Sequence, residues 1–512
     1  MSAPLEVIVV GGGIAGMAYA TQLVDLAGQR AVHIRILTKA VVQVSNSYAA
    51  QGGVAAVIHS DDSYAQHVLD TITVGAGRND PAVVRSVVRE GPRIIRGLIG
   101  LGARFDADTD GQLELAREGG HSQARVVHRR DSTGAEIVRV LHQRVRSESA
   151  IKIVEDQRAI DLLAEGHGDE RRCIGVRCID LRAGALVDHF ADVVVLATGG
   201  AGQVYKHTTN PLGATGDGLA MAVRAGVPLR DMAFVQFHPT ALYTGASGPS
   251  FLVSEAVRGA GARLLNDEGM PLMRNIHPMG DLAPRNIVAR AIHREMIRTG
   301  VAHVWLDAGP VGSVRFARDF PAIDEQCRKH GVVPCRDPIP VMPAAHYMCG
   351  GIRTDDRGRT DLPGLYALGE CASSGLHGAD RLASNSLLEA LAIPKRAARS
   401  TLGEGIGRCV RPVVPVMSDK MTFRKSRVME RGIEALKEAM STQVCIVRDR
   451  ERMVHALHRI ARLERALRHG MARPRWSREL LDLRDLLAVA RGITEAALNE
   501  PKSIGAHYVE DR

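Results

Sequence analysis

The chain has 512 residues, 45% of them hydrophobic and 24% charged, with 52 glycines; this suits a globular protein of two or three domains, not one simple core. Its net charge of +9 arises within 401–475, where 17 Lys and Arg meet 8 Asp and Glu; without interleaved aromatics or a broad apolar face, that stretch reads as solvated Arg-rich helices and argues against a nucleic-acid or membrane partner. Eight cysteines form no CxxC pair, apolar runs are too short to span a bilayer, and Met1-Ser2-Ala3-Pro4 leads straight into a strand, which points to a reducing cytoplasm and against a metal centre, a disulfide framework or secretion.

Leu5-Glu6-Val7-Ile8-Val9-Val10 reads as a buried strand. Gly11-Gly12-Gly13-Ile14-Ala15-Gly16 follows, then a helix to about Ala27 and a second strand from His33 to Leu37. The G-x-G-x-x-G spacing is weak alone and specific between a strand and a helix. Gly11 permits the tight turn, Gly13 lets backbone approach a pyrophosphate, and Gly16 lets helix and strand pack closely. The helix N-terminus supplies N–H groups to phosphates. An acidic residue is expected about 20 positions on to hold a ribose. Thr38-Lys39 stands there instead, so Lys39 and backbone are expected to serve. The loop Ser45-Asn46-Ser47-Tyr48-Ala49-Ala50-Gln51-Gly52-Gly53 is small and polar, suited to bonding the edge of a ring. Glu118, before Gly119 and Gly120, reads as an exposed loop carboxylate. Beside a cationic pocket it could bind a substrate ammonium.

Two further strand-to-glycine elements are Ala191 to Gly200 and Gly364 to Glu370. Between them, about 232 to 346, the texture changes to mixed helices and short strands, which suits a mobile cap inserted into one sheet domain. Beyond about 413 the chain turns helical. Met453, Leu457, Ile460, Leu463 and Leu467 recur at helical spacing; Pro474 ends that run and Ser477 caps the next.

His238 stands in the turn Phe237-His238-Pro239-Thr240. Ser254 and Glu255 precede Arg258 at helical spacing, and Pro284-Arg285-Asn286 opens another helix. His346 lies in Pro343–Gly351 and Arg381 in Gly378-Ala379-Asp380-Arg381. A lone His is usually structural and a lone Arg solvated. Four such groups in Gly/Pro-bounded turns are a different signal, because arginine forks grip carboxylates bidentately and a dicarboxylate would occupy several cations. Ser384-Asn385-Ser386 opens a helix. That is either a plain N-cap or an N-terminus aimed at a flat, electron-accepting ring. Together these residues point to a flavin enzyme acting on a dicarboxylate.

The motifs are similar to those of the fumarate reductase/succinate dehydrogenase flavoprotein superfamily, and within it most of all to the L-aspartate oxidases. They include the early glycine run, Ala49–Gly53, Thr209-Asn210-Pro211, Gly216-Asp217-Gly218, Gln236–Thr240, Ala344–Tyr347 and Ala383–Glu389, and cover the chain to about residue 400. The respiratory members attach FAD to a His where this chain has Asn46, and carry Phe where it has Glu118. The resemblance thus implies non-covalent FAD, held by Gly11 to Gly16, Lys39, Asn46 to Gly53, Asp217, Glu370, Ser386 and Leu387. It implies an α/β, Rossmann-like FAD-binding domain (1–231 and 347–412), an inserted α+β capping domain (232–346) and a C-terminal helical domain (413–512).

L-Aspartate would lie over the flavin and lose a hydride from Cα, giving iminoaspartate, with O2 or fumarate as acceptor. This is the first step toward quinolinate and NAD, with possible hand-over of iminoaspartate to quinolinate synthase. His238, His346 and Arg381 would hold the carboxylates, with Ser254 and Glu255 assisting. Glu118 would favour the ammonium, and Arg285 would transfer the proton. The alternatives are a soluble fumarate reductase or succinate oxidase, a subunit of a respiratory complex, and a non-catalytic flavin module. The sequence departs from the pattern at Pro394, expected to kink its helix, and at Ile504, which replaces an Arg and bears on how the C-terminal tail docks.

Overall fold

The computed structural model describes residues 3–246, 248–403, 425–471 and 477–510. Its central sheet has five parallel strands in the order Leu365–Ala367, Val193–Leu196, Leu5–Val10, Val32–Leu37, Ile151–Val154. Val7, Ile8, Val9 and Val193 to Val195 are wholly buried, as an all-parallel sheet covered on both faces requires. The predicted βαβ start is present, with the helix at Ile14–Ala27. Gly11 has φ +114°, and a Cβ on Gly16 would collide with the Gly11 carbonyl. Only glycines therefore allow strand, turn and helix to close this tightly.

One face of the sheet is covered by Ile14–Ala27, Thr133–Ser147 and Asn385–Gly403, which share an apolar cluster with Val7 and Val9. The last helix continues through Pro394, which lies inside it. The opposite cluster joins Ile8, Val10 and Val194 to Leu436, Met440, Leu486 and Ile493. The helices Arg427–Gln443, Arg450–Met471 and Arg478–Asn499 thus share a core with the sheet. Ser477 caps the last of them through Leu480 N–H. Pro474 and the expected boundary near 412 lie outside the described residues.

A second sheet crosses the inserted segment. Ile339–Met348 pairs with Val304–Asp307 and with Val235–Leu242, both antiparallel. A separate apolar cluster lies between Leu242 and Val341. The ladder of Val235–Leu242 with Ile339–Met348 is irregular twice. Gln236 faces Tyr347, but Phe237 faces Ala345, so His346 is the extra residue of a bulge; a second shift falls between His238 and Ala241. Bulges of this kind re-aim side chains.

The tail docks despite Ile504. Ala506 N–H donates to the Ala379 carbonyl at 2.9 Å, and Asn286 Nδ2 donates to the Gly505 carbonyl at 2.8 Å. The fully buried Arg448 bridges Ala233 O and His507 Nδ1, anchoring the tail from a different part of the chain. Among the described residues, no helix is long and apolar enough to cross a membrane.

Candidate active site

A cavity of about 600 Å³ opens where the carboxyl ends of the parallel strands meet the second sheet, and two charge clusters line it. The size and position are those of a cofactor site in an open α/β fold.

In the first cluster, Lys39 Nζ donates to Asp217 Oδ2 at 2.6 Å and to Thr215 Oγ1 at 2.9 Å. Lys39, standing where an acid is expected, is thus paired with a carboxylate 178 residues away. Burial would raise the Asp217 pKa, but Lys39 and Arg158 hold it below the usual carboxylate value. Arg158 is buried and pairs with Asp482 at 2.7 Å and Asp485 at 3.3 Å. Arg478, Leu481 and Asp482 bring the last helix to the cavity wall. Nothing in the sequence signalled that contribution, because it depends on how the helices dock.

The glycine run lies alongside. Gly13 caps the first helix without a side-chain bond, while Ser47 Oγ accepts Ile14 N–H at 3.1 Å. Thr38 Oγ1, Gln51 Oε1 and Thr198 Oγ1 are buried, unpartnered and on cavity-lining residues. Buried polar atoms without partners are costly, so these fit a ligand rich in hydrogen-bonding groups. Asn46 Nδ2 donates to Glu370 Oε2 at 3.2 Å, and Met348 N–H donates to Glu370 Oε1 at 3.2 Å. Ser386 and Leu387 line the cavity at the start of the helix Asn385–Gly403.

The second cluster brings together the residues expected to meet a substrate. Arg285 opens the helix Arg285–Thr299, and its Nε donates to Glu255 Oε2 at 2.7 Å. Glu255 also accepts from Arg258 Nη2 at 3.1 Å. Burial would raise the Glu255 pKa, but the two arginines hold it down. Arg381 stacks over the Tyr347 ring at 4.6 Å and donates to Ser386 Oγ at 2.9 Å. Burial first, and Arg285 second, lower its pKa to about 10. No carboxylate among the described residues forms an ion pair with Arg381.

His238 and His346 meet edge to face with centroids 5.1 Å apart. Burial, then the neighbouring arginines, push both pKa values well below the ordinary value, so both rings are neutral. His238 Nδ1 accepts Thr240 N–H at 3.2 Å. The ring proton is therefore on Nε2, which is buried and unpartnered. His346 Nδ1 is held by Thr209 Oγ1 at 2.7 Å. Ser254 Oγ caps the helix Glu255–Gly259 and lines the cavity.

Glu118 corrects the sequence reading. It is only 2% exposed, and Ser384 Oγ donates to its Oε2 at 2.6 Å. Next to it, only a glycine fits at 119, since a Cβ there would collide with Glu255 Oε1. Burial raises its pKa, with Arg285 opposing and Glu255 adding to the rise. Ser384 itself sits at φ +60°, a strained conformation for a non-glycine residue.

Of the expected site residues, two do not line the cavity. Gly16 packs the helix on the Gly11 turn, and Tyr48 points to solvent at 41% exposure. All the others line it. Sequence reasoning missed Thr209 and Ser384 as partners of His346 and Glu118. It also missed Gln236, which stands behind the wall between the two arginines. Each lay inside a motif already noted, but no spacing rule links it to its partner.

The FAD binding domain family model matches residues 6–387, and the fumarate reductase flavoprotein C-terminal model matches 433–512. L-aspartate oxidase 1 of Ralstonia nicotianae is 42% identical, over 99% of this chain and 95% of that protein. L-aspartate oxidase of Streptomyces coelicolor is 42% identical, over 99% and 88%. Among solved structures, an E. coli quinol fumarate reductase is similar at TM-score 0.88 and 30% identity, covering 100% of this chain and 92% of that one. Mycobacterium smegmatis Sdh1 is similar at TM-score 0.82 and 29% identity, covering 99% and 89%. The glycine turn, the unpartnered polar atoms along the cavity and the family match agree on FAD as the cofactor, and the chain belongs to the L-aspartate oxidase family of the fumarate reductase/succinate dehydrogenase flavoproteins.

Proposed function

We propose that the chain oxidises L-aspartate to iminoaspartate, with O2 (giving H2O2) or fumarate as electron acceptor. The reaction would be the first step of cytoplasmic NAD synthesis through quinolinate. The observation that carries this reading is a buried carboxylate, Glu118, on the same cavity wall as Arg285, Arg381, His238 and His346. Such a set matches a substrate with two carboxylates and one ammonium.

Bound FAD supplies a two-electron, hydride-accepting ring. The glycine run, Lys39, Asp217, the loop Asn46–Gly53, Glu370, Ser386 and Leu387 would hold it. No imidazole lies in that loop, which supports a non-covalent cofactor. Arg381 would grip one substrate carboxylate bidentately. His238, through its unpartnered Nε2–H, and His346 would hold the other, with Ser254 beside them. Glu118 would pair with the ammonium, and its raised pKa suits it to take a proton from the nitrogen. Glu255 fixes the Arg285 guanidinium. A guanidinium is protonated at rest, so toward an amine Arg285 would act electrostatically and not as a base; toward fumarate that resting proton is the one it would donate.

The separate cluster between Leu242 and Val341 supports treating 232–346 as a cap over this site. Iminoaspartate hydrolyses in water, which favours direct hand-over to quinolinate synthase.

Anaerobic addition of L-aspartate should bleach the flavin, and no bleaching would defeat the proposal. A fumarate reductase or succinate oxidase is the second reading, and Glu118→Gln separates the two. Aspartate oxidation should fall at least about 100-fold, and viologen-driven fumarate reduction less than about 10-fold, because only the amine needs the carboxylate. Equal losses would favour the second reading.

A further inference from the structure

Behind the cavity wall, Arg285 and Arg381 share one neutral acceptor. Gln236 Oε1 accepts from Arg285 Nη1 at 3.1 Å and from Arg381 Nε and Nη2 at 3.2 and 3.1 Å. A primary amide is nearly symmetric in shape, and its reversed form would press an NH2 group against two guanidiniums. The orientation is fixed from the far side. Gln236 Nε2 donates to Asp380 Oδ1 at 2.6 Å and to the Arg381 carbonyl at 2.8 Å. Asp380 Oδ1 also accepts Arg381 N–H at 3.1 Å.

Asp380 is 1% exposed and does not line the large cavity. It borders a cavity of about 10 Å³ shared with Gln236, Asn286, Arg290 and Gly505. Its Oδ2 has no protein partner, and the volume suits one water. Burial raises the Asp380 pKa to about 6, with Gln236, Arg285 and Arg381 opposing. A buried carboxylate is costly unless its charge is used. Here it stands one amide away from two buried guanidiniums that repel each other.

We propose that Asp380 is a positioning residue for the substrate clamp: it locks the Gln236 amide so that one carbonyl oxygen spaces Arg285 and Arg381, and its charge offsets their repulsion before a dicarboxylate enters. Asp380 acts through Gln236 and touches no substrate. The inference rests on the dicarboxylate reading of the cavity.

The test is succinate binding to flavin-loaded enzyme, read from the flavin absorbance, alongside aspartate kinetics. Asp380→Ala removes the lock, and should raise the succinate Kd and the aspartate KM about 10- to 100-fold with a smaller loss in kcat. Asp380→Asn keeps an acceptor toward Gln236 but loses the charge, so its loss should fall clearly between wild type and Asp380→Ala. Gln236→Leu should cost as much as Asp380→Ala, and the double variant no more than Gln236→Leu alone. Wild-type affinity in Asp380→Ala, equal damage from Asn and Ala, or losses that multiply in the double variant would each overturn the proposal. Should the Ala variant lose its flavin or fail to fold, Asp380→Glu moves the carboxylate by one methylene. It must weaken succinate while retaining flavin, and wild-type affinity there would overturn the proposal. A wild-type enzyme blind to succinate and aspartate would instead defeat the dicarboxylate reading, and this inference with it.

Discussion

The two charge clusters of the cavity are built on opposite principles. Around Lys39, Asp217, Arg158, Asp482 and Asp485, each cation faces a carboxylate. Around Arg285 and Arg381, Glu255 pairs with Arg285, Arg381 has no carboxylate partner among the described residues, and the acceptor the two share is the neutral Gln236. A closed ion network fixes geometry and leaves little net field. A guanidinium held only by neutral acceptors, as Arg381 is, keeps its field for an arriving dianion. On the proposed reading, the difference separates the wall that would hold the cofactor from the wall that would recognise the substrate.

Breaking the open cluster should have the largest effect. Arg381→Leu should lower kcat/KM for aspartate about 1,000-fold, since losing a buried charge-assisted partner costs on the order of 4 kcal/mol. Steady-state kinetics with a flavin-content assay would check this, and loss of flavin in proportion to activity would erase the distinction between clusters. Breaking the closed network should act on the cofactor instead. Asp217→Asn leaves Lys39 and Arg158 with weaker partners and should raise the FAD Kd about 10- to 100-fold, since a charge-assisted bond is worth roughly 1.5–3 kcal/mol. Titration of apoprotein followed by flavin fluorescence measures it.

The clusters should also answer pH with opposite signs. Asp217 is held below its ordinary value of 3.8 in the fold. Its stabilisation is present above that value and is lost as pH falls through the folded pKa. Asp380 is raised from 3.8 to about 6. Its contribution is present below about 4 and is lost as pH rises through about 6. Melting temperatures across pH 3–7 should therefore show wild type losing ground to Asp380→Asn as pH rises from 4 to 6.5, by on the order of 2 kcal/mol. A flat difference would show that Asp380 titrates normally. The smallest effect is expected at the tail. Gly505 has φ +55°, and a Cβ there would collide with the Ala379 carbonyl. Gly505→Ala should cost about 1–2 kcal/mol and lower the melting temperature by roughly 1–2 °C. An unchanged melting temperature would mean that the tail does not brace the loop before Arg381.

Local chemistry made much of the protein legible. The parallel strands, the glycine turn, the helix cap at Ser477, and the candidacy of His238, Arg285, His346 and Arg381 all follow from short-range patterns. What stayed hidden depended on segments far apart in the chain meeting. Glu118 is buried against Ser384, 266 residues away. His346 reaches the site as the extra residue of a bulge set by the facing strand. Lys39, standing where an acid is expected, is paired with Asp217, and the last helix adds Asp482.

By itself the sequence determined the element types and the inventory of charged groups, because backbone propensity and side-chain chemistry are properties of neighbouring residues. Tertiary structure alone decided which charges are neutralised and which are left for a ligand. That depends on desolvation and on distances between groups a hundred or more residues apart, such as Gln236 and Asp380 beside Arg381.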